Sequence, residues 1–270
     1  MSMFVHREGP ADAPTTVLML HAGASSGAQW TGYARGLGPG VRTLAPDLHG
    51  HGATPVGPGI TPTNAIDRMV DDLLPVVEVE RFHLVGHSFG GLLAIAMALR
   101  VPQRILSLTA VEPACFDALR IGGPRALHDR SRVEVDELLA VVERGEHEAA
   151  MQHVVARWGM GRWEQFSAQQ QATFVALAPV LLGTGLAAAS RWRCEPAELA
   201  RLAGVPTLLV DGEHSPDVAM PVSETLCAAI PGARRVCIEG AGHMLPITHR
   251  SSLRRLLLTQ LEPRPQDELS

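Results

Sequence analysis

Cysteine is scarce in this chain, which has 4 cysteines among its 270 residues. No two of them form a Cys-x-x-Cys pair, whereas zinc ribbons and disulfide-rich extracellular domains need closely spaced or dense cysteines. The composition therefore predicts reduced thiols and a cytoplasmic location. The four residues are Cys115, Cys194, Cys227 and Cys237.

Long hydrophobic runs are missing as well. The longest apolar region, residues 175–189, is interrupted by Pro179, Gly183 and Gly185, and it is shorter than the roughly 20 residues that cross a bilayer. At the N-terminus the charged Arg7 comes too early for a secretory signal peptide. We therefore expect no membrane partner.

Dense basic clusters and phosphate-binding loops are absent too. The net charge is −5 at pH 7, whereas nucleic-acid-binding domains are usually basic. No Gly-x-x-x-x-Gly-Lys loop occurs, and Gly50-x-Gly52 is followed by Pro55 where a dinucleotide fingerprint requires glycine. The sequence therefore predicts a small-molecule substrate, no cofactor and no nucleic-acid partner.

What the chain does contain is an alternation of short apolar runs with stretches of helical spacing. Hydrophobic residues make up 46% and charged residues 19%, as in ordinary globular proteins. The alternation predicts an α/β fold, with a doubly wound, mostly parallel sheet and helices on both faces. The predicted strands are Phe4–Arg7, Val17–Leu20, Val41–Ala45, Phe82–Val85, Ile105–Val111, Val205–Val210 and Arg235–Ile238.

The pattern changes in the middle of the chain. Residues 115–200 show helical spacing with scattered aromatic residues and no convincing strand. We therefore predict a core domain formed by residues 1–114 and 201–270, with residues 115–200 inserted as a helical unit.

The sequence Gly86-His87-Ser88-Phe89-Gly90-Gly91 links a predicted strand directly to a predicted helix. A Gly-x-Ser-x-Gly motif in that context predicts a strained turn that exposes the serine hydroxyl. Side chains at Gly86 or Gly90 would collide with the neighbouring strand or helix. The Phe89 N–H would lie at the start of the helix, where free amides and the helix dipole favour a developing negative charge.

Four segments together resemble the α/β-hydrolase superfamily of serine hydrolases over nearly the whole chain. They are His21-Ala22-Gly23, Asp47-x-x-Gly50-x-Gly52, Gly86-His87-Ser88-Phe89-Gly90-Gly91 and Gly240-Ala241-Gly242-His243. The resemblance implies an α/β-hydrolase fold, a serine nucleophile and a catalytic triad with the chain order serine, acid, histidine. It also implies that the insertion at 115–200 is a helical lid.

Ser88 needs an adjacent base, because a serine hydroxyl is a weak nucleophile at neutral pH. His243 is the candidate, since it follows the last predicted strand at the edge of the sheet where ligands bind. The resemblance implies an oxyanion hole formed by the Phe89 N–H and an N–H from the His21 loop. We assign the second donor to Gly23, with Ala24 next to it.

The residue that orients His243 is open to three readings. The family most often places its acid after the strand at 205–210, but this chain has Ser215 at that position. Glu112 ends the strand that follows the serine strand, and some family members carry their acid there. We assign Glu112 as the acid, with Asp211 and Asp217 as alternatives.

Asp47, His49 and His51 have the spacing of metal ligands. The same stretch also matches the Asp-x-x-Gly-x-Gly turn of the family, which shapes a loop. Short histidine patterns are weak signals, so we predict a structural role and no metal site.

The sequence therefore predicts a serine hydrolase that cleaves a carboxylic ester or a related acyl compound through an acyl-enzyme. The same residues would also suit a carbon–carbon bond hydrolase or lactonase, or a ligand receptor with slow turnover. Ala24 and the lid residues Trp158 and Trp163 are predicted to contact the substrate. The identity of the substrate and the oligomeric state cannot be predicted, because function depends on the pocket and not on the fold.

Overall fold

A computed structural model describes residues 3–262 of the chain. The outermost parts of the predicted core domain, residues 1–2 and 263–270, lie outside this range. Seven strands form a single sheet. They are β1 (Val5–Glu8), β2 (Thr15–Leu20), β3 (Val41–Pro46), β4 (Phe82–His87), β5 (Ile105–Val111), β6 (Thr207–Gly212) and β7 (Arg234–Ile238).

The strand order in the sheet is β1-β3-β2-β4-β5-β6-β7. Strand β1 pairs with β3 in the antiparallel direction, and all other neighbours are parallel. The predicted doubly wound, mostly parallel sheet is therefore confirmed, with one antiparallel strand at its edge. Because β2 and β4 to β7 run in the same direction, the loops that follow them meet at one edge of the sheet.

Twelve α-helices connect and cover the strands within residues 3–262. They are α1 (Tyr33–Leu37), α2 (Ala65–Leu73), α3 (Phe89–Arg100), α4 (Ala118–Gly122), α5 (Arg125–Glu143), α6 (His147–Arg157), α7 (Ala168–Val180), α8 (Ala187–Arg191), α9 (Pro196–Leu199), α10 (Ala219–Ala229), α11 (Leu245–Thr248) and α12 (Arg250–Leu261).

The central strands are apolar on both faces because helices cover both faces. On one face α2, α3 and α10 pack against alternate strand residues such as Leu18, Leu84 and Leu108. On the other face α1, α11 and α12 pack against residues such as Met19 and Val85. The one-residue alternation along each strand thus divides the core into two layers.

The segment between β5 and β6 contains the helices α4 to α9 joined by turns and loops, without a strand in the described residues 112–206. It has its own apolar cluster, which includes Leu138, Met151, Val154 and Leu182. Helix α7 continues through a π-helical segment, Leu181–Leu186, into α8. Pro179 lies two residues before this segment, which fits the tendency of π-helical turns to occur where the regular hydrogen-bond ladder is interrupted.

One continuous helical stretch, Ala168–Arg191, is long and apolar enough to cross a membrane by length and composition alone. Its most apolar window has a mean hydropathy of 1.9 and is 33% buried. Part of the stretch packs against α5 and α6 in the apolar cluster of the insertion. Such a helix is weak evidence for a membrane span, because core helices of soluble proteins have similar compositions.

Candidate active site

Ser88 lies between β4 and α3 in a conformation that is strained for a residue with a side chain. Its φ is +54° and its ψ is −116°. The turn is tight, because a Cβ at Gly86 would lie 2.2 Å from the Gly90 carbonyl oxygen, and a Cβ at Gly90 would lie 2.5 Å from the Leu20 carbonyl oxygen. The two glycines therefore allow α3 to pack directly on the sheet and hold Ser88 at its edge.

His243 follows β7 and reaches the same edge of the sheet. Its Nδ1 lies 2.6 Å from Oε2 of Glu112, and both side chains are buried. The contact fixes the imidazole orientation and leaves Nε2 available. Ser88 and His243 line the same cavity, although the Ser88 hydroxyl and His243 Nε2 form no hydrogen bond within residues 3–262.

Glu112 is held by more than its contact with His243. Its Oε1 accepts hydrogen bonds from the Gly212 N–H, at 2.8 Å, and from the Ser215 hydroxyl. The residue follows β5 directly and has a φ of +43°, an uncommon conformation for glutamate. Buried carboxylates need such partners, and here Oε1 and Oε2 have separate ones.

The two alternative acids lie elsewhere. Asp211 is fully buried and accepts a hydrogen bond of 2.6 Å from Nε of Arg235. Burial raises the pKa of Asp211 to about 6, while the hydrogen bond and the charge of Arg235 act in the opposite direction. Asp217 is half exposed and forms ion pairs with Arg130 and Arg157. The structure therefore brings only Glu112, of the three candidates, into contact with His243.

The loop after β2 is braced by His21. Its Nε2 accepts a hydrogen bond of 2.9 Å from the Leu48 N–H, so Nδ1 carries the proton and donates to the Ala22 carbonyl at 2.7 Å. The Ala22 N–H donates to Oε1 of Gln29. No described residue accepts a hydrogen bond from the N–H of Gly23 or Ala24. These two amides thus remain available at the cavity wall.

The Phe89 N–H is at the start of α3, where helix geometry provides no acceptor. Both Phe89 and Gly23 line the cavity. A Cβ at Gly23 would lie 2.4 Å from Cδ1 of Leu181, so the π-helical segment packs directly on this loop. Ala24, with a φ of +54°, is a third residue in an uncommon conformation at this site.

The cavity has a volume of about 80 Å³. Ser88 and His243 line it, and the rest of its wall is mainly apolar. The apolar residues come from the sheet edge and from the helical segment between β5 and β6. They are Ala22, Ala24, Phe89, Ala114, Phe116, Leu138, Val154, Trp158, Met160, Leu181, Leu182, Leu186, Ala189 and Met244.

The two predicted tryptophan contacts have different positions. Trp158 lines the cavity, and its ring lies 4.5 Å from the His243 ring. Trp163 does not line this cavity, which corrects the sequence-based assignment. It is buried in an aromatic cluster of the insertion with Phe166 and Phe174. Both residues lie in a helical region where the sequence gives no indication of which side faces the sheet.

Asp47, His49 and His51 each interact with other parts of the protein. The Asp47 carboxylate accepts hydrogen bonds from the Gly27 and Ala53 amides, which ties the loop together. His49 contacts Asp72, and Nδ1 of His51 donates to the His49 carbonyl. Within residues 3–262, no group of three His, Cys, Asp or Glu side chains could hold a metal ion.

Three histidines around the site are held in the neutral form. Burial lowers the pKa of His21 to about 3, and His51 lowers it further by charge repulsion. Burial also lowers the pKa of His51. His87 packs beneath His243 and contacts its carbonyl at 2.8 Å. Burial, followed by the nearby His243, lowers the pKa of His87 well below its usual value.

Because these histidines are buried in the neutral form, we predict that the free energy of unfolding decreases as the pH is lowered. In the unfolded chain they gain protons as the pH falls through about 6.5, while the folded state does not. Each should reduce the free energy of unfolding by about 1.4 kcal/mol per pH unit below that point. The contribution of these histidines therefore leaves the free energy of unfolding undiminished above pH 6.5 and lowers it progressively as the pH falls. Urea unfolding between pH 7.5 and 5 measures this slope.

A matched pair of variants assigns the slope to buried histidines. His51→Gln should reduce the slope of the free energy of unfolding against pH by the contribution of up to one proton, or about 1.4 kcal/mol per pH unit. His214→Gln should leave it unchanged, because the His214 side chain is 68% exposed. A free energy of unfolding that stays constant from pH 7.5 to 5 in the parent protein would contradict the prediction.

Sequence reasoning missed two partners of Glu112, the Gly212 amide and the Ser215 hydroxyl. The sequence shows Ser215 only as the residue at the position where the family most often has its acid. Two features of the sequence could have indicated these contacts. A glutamate ends β5, and a hydrogen-bond donor occupies the corresponding position after β6. Leu181 was also missed, because its contact with Gly23 depends on the π-helical turn.

Comparisons with known proteins agree with this fold. The family model of the alpha/beta hydrolase fold matches residues 15–250. A pimeloyl-[acyl-carrier protein] methyl ester esterase of Aeromonas hydrophila is 29% identical over 92% of this chain and 95% of its own length. The crystal structure of a hydrolase from Pseudomonas aeruginosa PA01 has a TM-score of 0.75 and 25% identity, covering 96% of this chain and 94% of that one.

A partial match involves a 2-hydroxy-6-oxo-6-phenylhexa-2,4-dienoate hydrolase of Comamonas testosteroni. It is 30% identical over 44% of this chain and 43% of that protein. The chain likewise matches only 42% of the length of a carbamate hydrolase relative from Agrobacterium fabrum. These relatives are all hydrolases, but they act on different bonds.

Proposed function

Because the chain belongs to the alpha/beta hydrolase family, we propose that it is a serine hydrolase that cleaves a carboxylic ester or a related acyl compound. The observation that carries the proposal is that Ser88 and His243 line one cavity while Glu112 contacts Nδ1 of His243. Among these, Glu112 has its hydrogen bonds arranged so that one oxygen serves His243 alone. If His243 were an ordinary surface-loop histidine and Glu112 a solvated strand-end glutamate, neither would need this arrangement of hydrogen bonds.

In the first half of the reaction, His243 Nε2 takes the proton from the Ser88 hydroxyl as Oγ attacks the acyl carbonyl carbon. Glu112 stabilises the resulting imidazolium through Nδ1–H. The carbonyl oxygen becomes an oxyanion, for which the Phe89 and Gly23 amides are suitable donors. Hydrogen bonds between serine and histidine are often loose without substrate and tighten in the complex.

Collapse of this intermediate breaks the bond to the leaving alcohol, which takes the proton from His243. A water molecule then gives a proton to His243 and attacks the Ser88 ester. The second oxyanion collapses, Ser88 recovers its proton, and the carboxylic acid is released. The apolar wall favours an apolar acyl or alcohol group next to the reacting bond.

The helical segment between β5 and β6 is proposed to act as a lid over this cavity. It supplies Leu138, Val154, Trp158, Leu181 and Leu186 to the wall. Part of the apolar stretch Ala168–Arg191 fits this role, since Leu181, Leu182 and Leu186 line the cavity and also belong to or pack against the cluster of the insertion. The absence of a membrane partner and the cytoplasmic location stay predictions.

Burst kinetics with an activated p-nitrophenyl ester test the proposal. Wild-type protein should release about one equivalent of p-nitrophenol rapidly and then continue at a steady rate. A burst without steady turnover would favour the receptor alternative, in which the acyl-enzyme persists. No release above the buffer rate from any acyl chain length would contradict the proposal.

A carbon–carbon bond hydrolase is the second candidate, favoured by the partial match to the Comamonas testosteroni enzyme. The same serine, histidine and acid would suit that chemistry or the opening of a lactone. Comparison of kcat/KM for simple esters, lactones and a vinylogous 1,5-diketone discriminates between these reactions.

Trp158 is predicted to influence the choice of substrate more than stability. Trp158→Ala removes a ring from the cavity wall, so the ratio of kcat/KM for decanoate to butyrate p-nitrophenyl esters should rise about tenfold. Trp163→Ala is the matched control. It should leave that ratio unchanged but lower the free energy of unfolding by about 3–5 kcal/mol, because Trp163 lies in an aromatic cluster. The reverse pattern would contradict the assignment.

A further inference from the structure

A second cavity lies against the one that contains Ser88. Its volume is about 40 Å³. The two cavities share four wall residues, so they adjoin each other at these side chains. The shared residues are Phe116, Leu138, Trp158 and Leu186. A substrate longer than the first cavity would therefore meet the second cavity beyond Trp158.

The wall of the second cavity differs in chemistry from that of the first. Helix α5 contributes Ser131, Glu134, Val135 and Leu138, whose spacing places them on one helical face. His153 and Arg157, one turn apart on α6, add two further polar side chains. Ser131 is two turns from the shared Leu138, or about 10 Å along the helix axis. Ser131 thus lies well away from the shared Leu138.

Ser131 is the most informative residue of this wall. It is only 7% exposed, and its hydroxyl forms no hydrogen bond with any residue in the described part of the chain. Helical serines commonly donate to the carbonyl four residues earlier, but this one does not. The hydroxyl lies on the cavity wall without a partner among residues 3–262, so a ligand group in this cavity could form a hydrogen bond with it.

The charges around the second cavity are already compensated. Nε of Arg157 donates to Glu134 at 2.7 Å, and Nη2 donates to Asp217 at 2.8 Å. An anionic ligand group would find this cation paired with two carboxylates and would lie beside Glu134. Hydrogen-bonding capacity without net charge is what the wall offers.

We propose that the second cavity binds the distal end of the substrate and selects an uncharged hydrogen-bonding group there, such as a hydroxyl. This inference rests on the proposed hydrolase function and extends it to a substrate class. The substrate would have an apolar section beside the reacting bond and a polar, uncharged end that reaches Ser131, about 10 Å along α5 from the shared Leu138.

Matched ester series test this inference. One series contains p-nitrophenyl esters of straight-chain acids with four to twelve carbons, each ending in methyl, hydroxyl or carboxylate. A second series contains alkyl acetates with the same three endings on the alcohol arm. The proteins are wild type, Ser131→Ala and the control Ser251→Ala, which alters an exposed serine at the start of α12.

For wild type, the hydroxyl ending should raise kcat/KM about three- to tenfold over the methyl ending at one or two chain lengths, on one of the two arms. Ser131→Ala should abolish this ratio, and Ser251→Ala should retain it. Alanine is a better helix former than serine, so Ser131→Ala is expected to fold.

Three results would overturn the inference. The first is a hydroxyl-to-methyl ratio near one at every length on both arms, and the second is a ratio that Ser131→Ala does not change. The third is a preference for the carboxylate ending, which would show that the site takes an anion. Failure of the proposed hydrolase function would give a different result, since wild type would then hydrolyse no methyl-ended ester in either series.

Discussion

Ser88→Ala is expected to lower kcat/KM for an activated ester by about three orders of magnitude or more while the fold persists. The hydroxyl is the proposed nucleophile, so only the amide donors and substrate binding would remain to assist hydrolysis. The Ser88 side chain forms no hydrogen bond within residues 3–262, and alanine experiences the same backbone strain at a φ of +54°. Circular dichroism and thermal unfolding should therefore match wild type.

Labelling provides an independent measurement of the same prediction. An organophosphonate probe should modify wild type at Ser88 and at no other residue, as shown by peptide mass spectrometry. Ser251→Ala is the control and should be labelled like wild type. Unchanged ester hydrolysis by Ser88→Ala would exclude the serine-hydrolase proposal, whatever the labelling shows.

The sheet could be predicted from the sequence because its central strands are buried on both faces. Such strands are continuous apolar runs, and the predicted bounds of β5 agree with the observed Ile105–Val111. Strand β6 was predicted two residues too early. It continues through Asp211 and Gly212, which resemble loop residues in the sequence. Their burial depends on Arg235 and on the close packing of Gly212 against Ala241, which only the folded chain brings together.

The site was predictable to the extent that it depends on strand ends. Ser88, Glu112 and His243 each follow a strand, and parallel strands bring their ends together. Side chains from the insertion were not predictable in this way. Trp158 and Trp163 occur in similar helical sequence, but the packing of α6 places one beside His243 and the other among aromatic residues of the insertion.

Glu112→Gln is expected to reduce kcat by about four orders of magnitude with little change in substrate binding. The reason lies in the separate partners of the two oxygens. Gly212 and Ser215 both donate to Oε1, so the carboxamide oxygen of the variant would stay with them. Its NH2 group would then face Nδ1 of His243 and force the proton onto Nε2. In that tautomer His243 cannot accept the proton from Ser88.

The alternative acids supply the controls. Asp217→Asn should retain kcat within about threefold, because Asp217 is half exposed and forms ion pairs with Arg130 and Arg157. Asp211→Asn tests the buried carboxylate beside Arg235 and should affect the free energy of unfolding more than kcat. If Glu112→Gln remained near wild type while an aspartate variant lost several orders of magnitude, Glu112 would not be the acid.

Moving the carboxylate from position 112 to position 215 is expected to restore part of the activity that Glu112→Ala loses. Because the Ser215 hydroxyl contacts Oε1 of Glu112, the Cβ of residue 215 is close enough for a short carboxylate to enter the space of the glutamate side chain. Glu112→Ala should be nearly inactive, and adding Ser215→Asp should restore about one to two orders of magnitude in kcat. Ser215→Asp alone should be less active than wild type, since two carboxylates would then share a buried space. Equal activity of Glu112→Ala with and without Ser215→Asp, in proteins with matched thermal unfolding, would show that the position after β6 cannot orient His243.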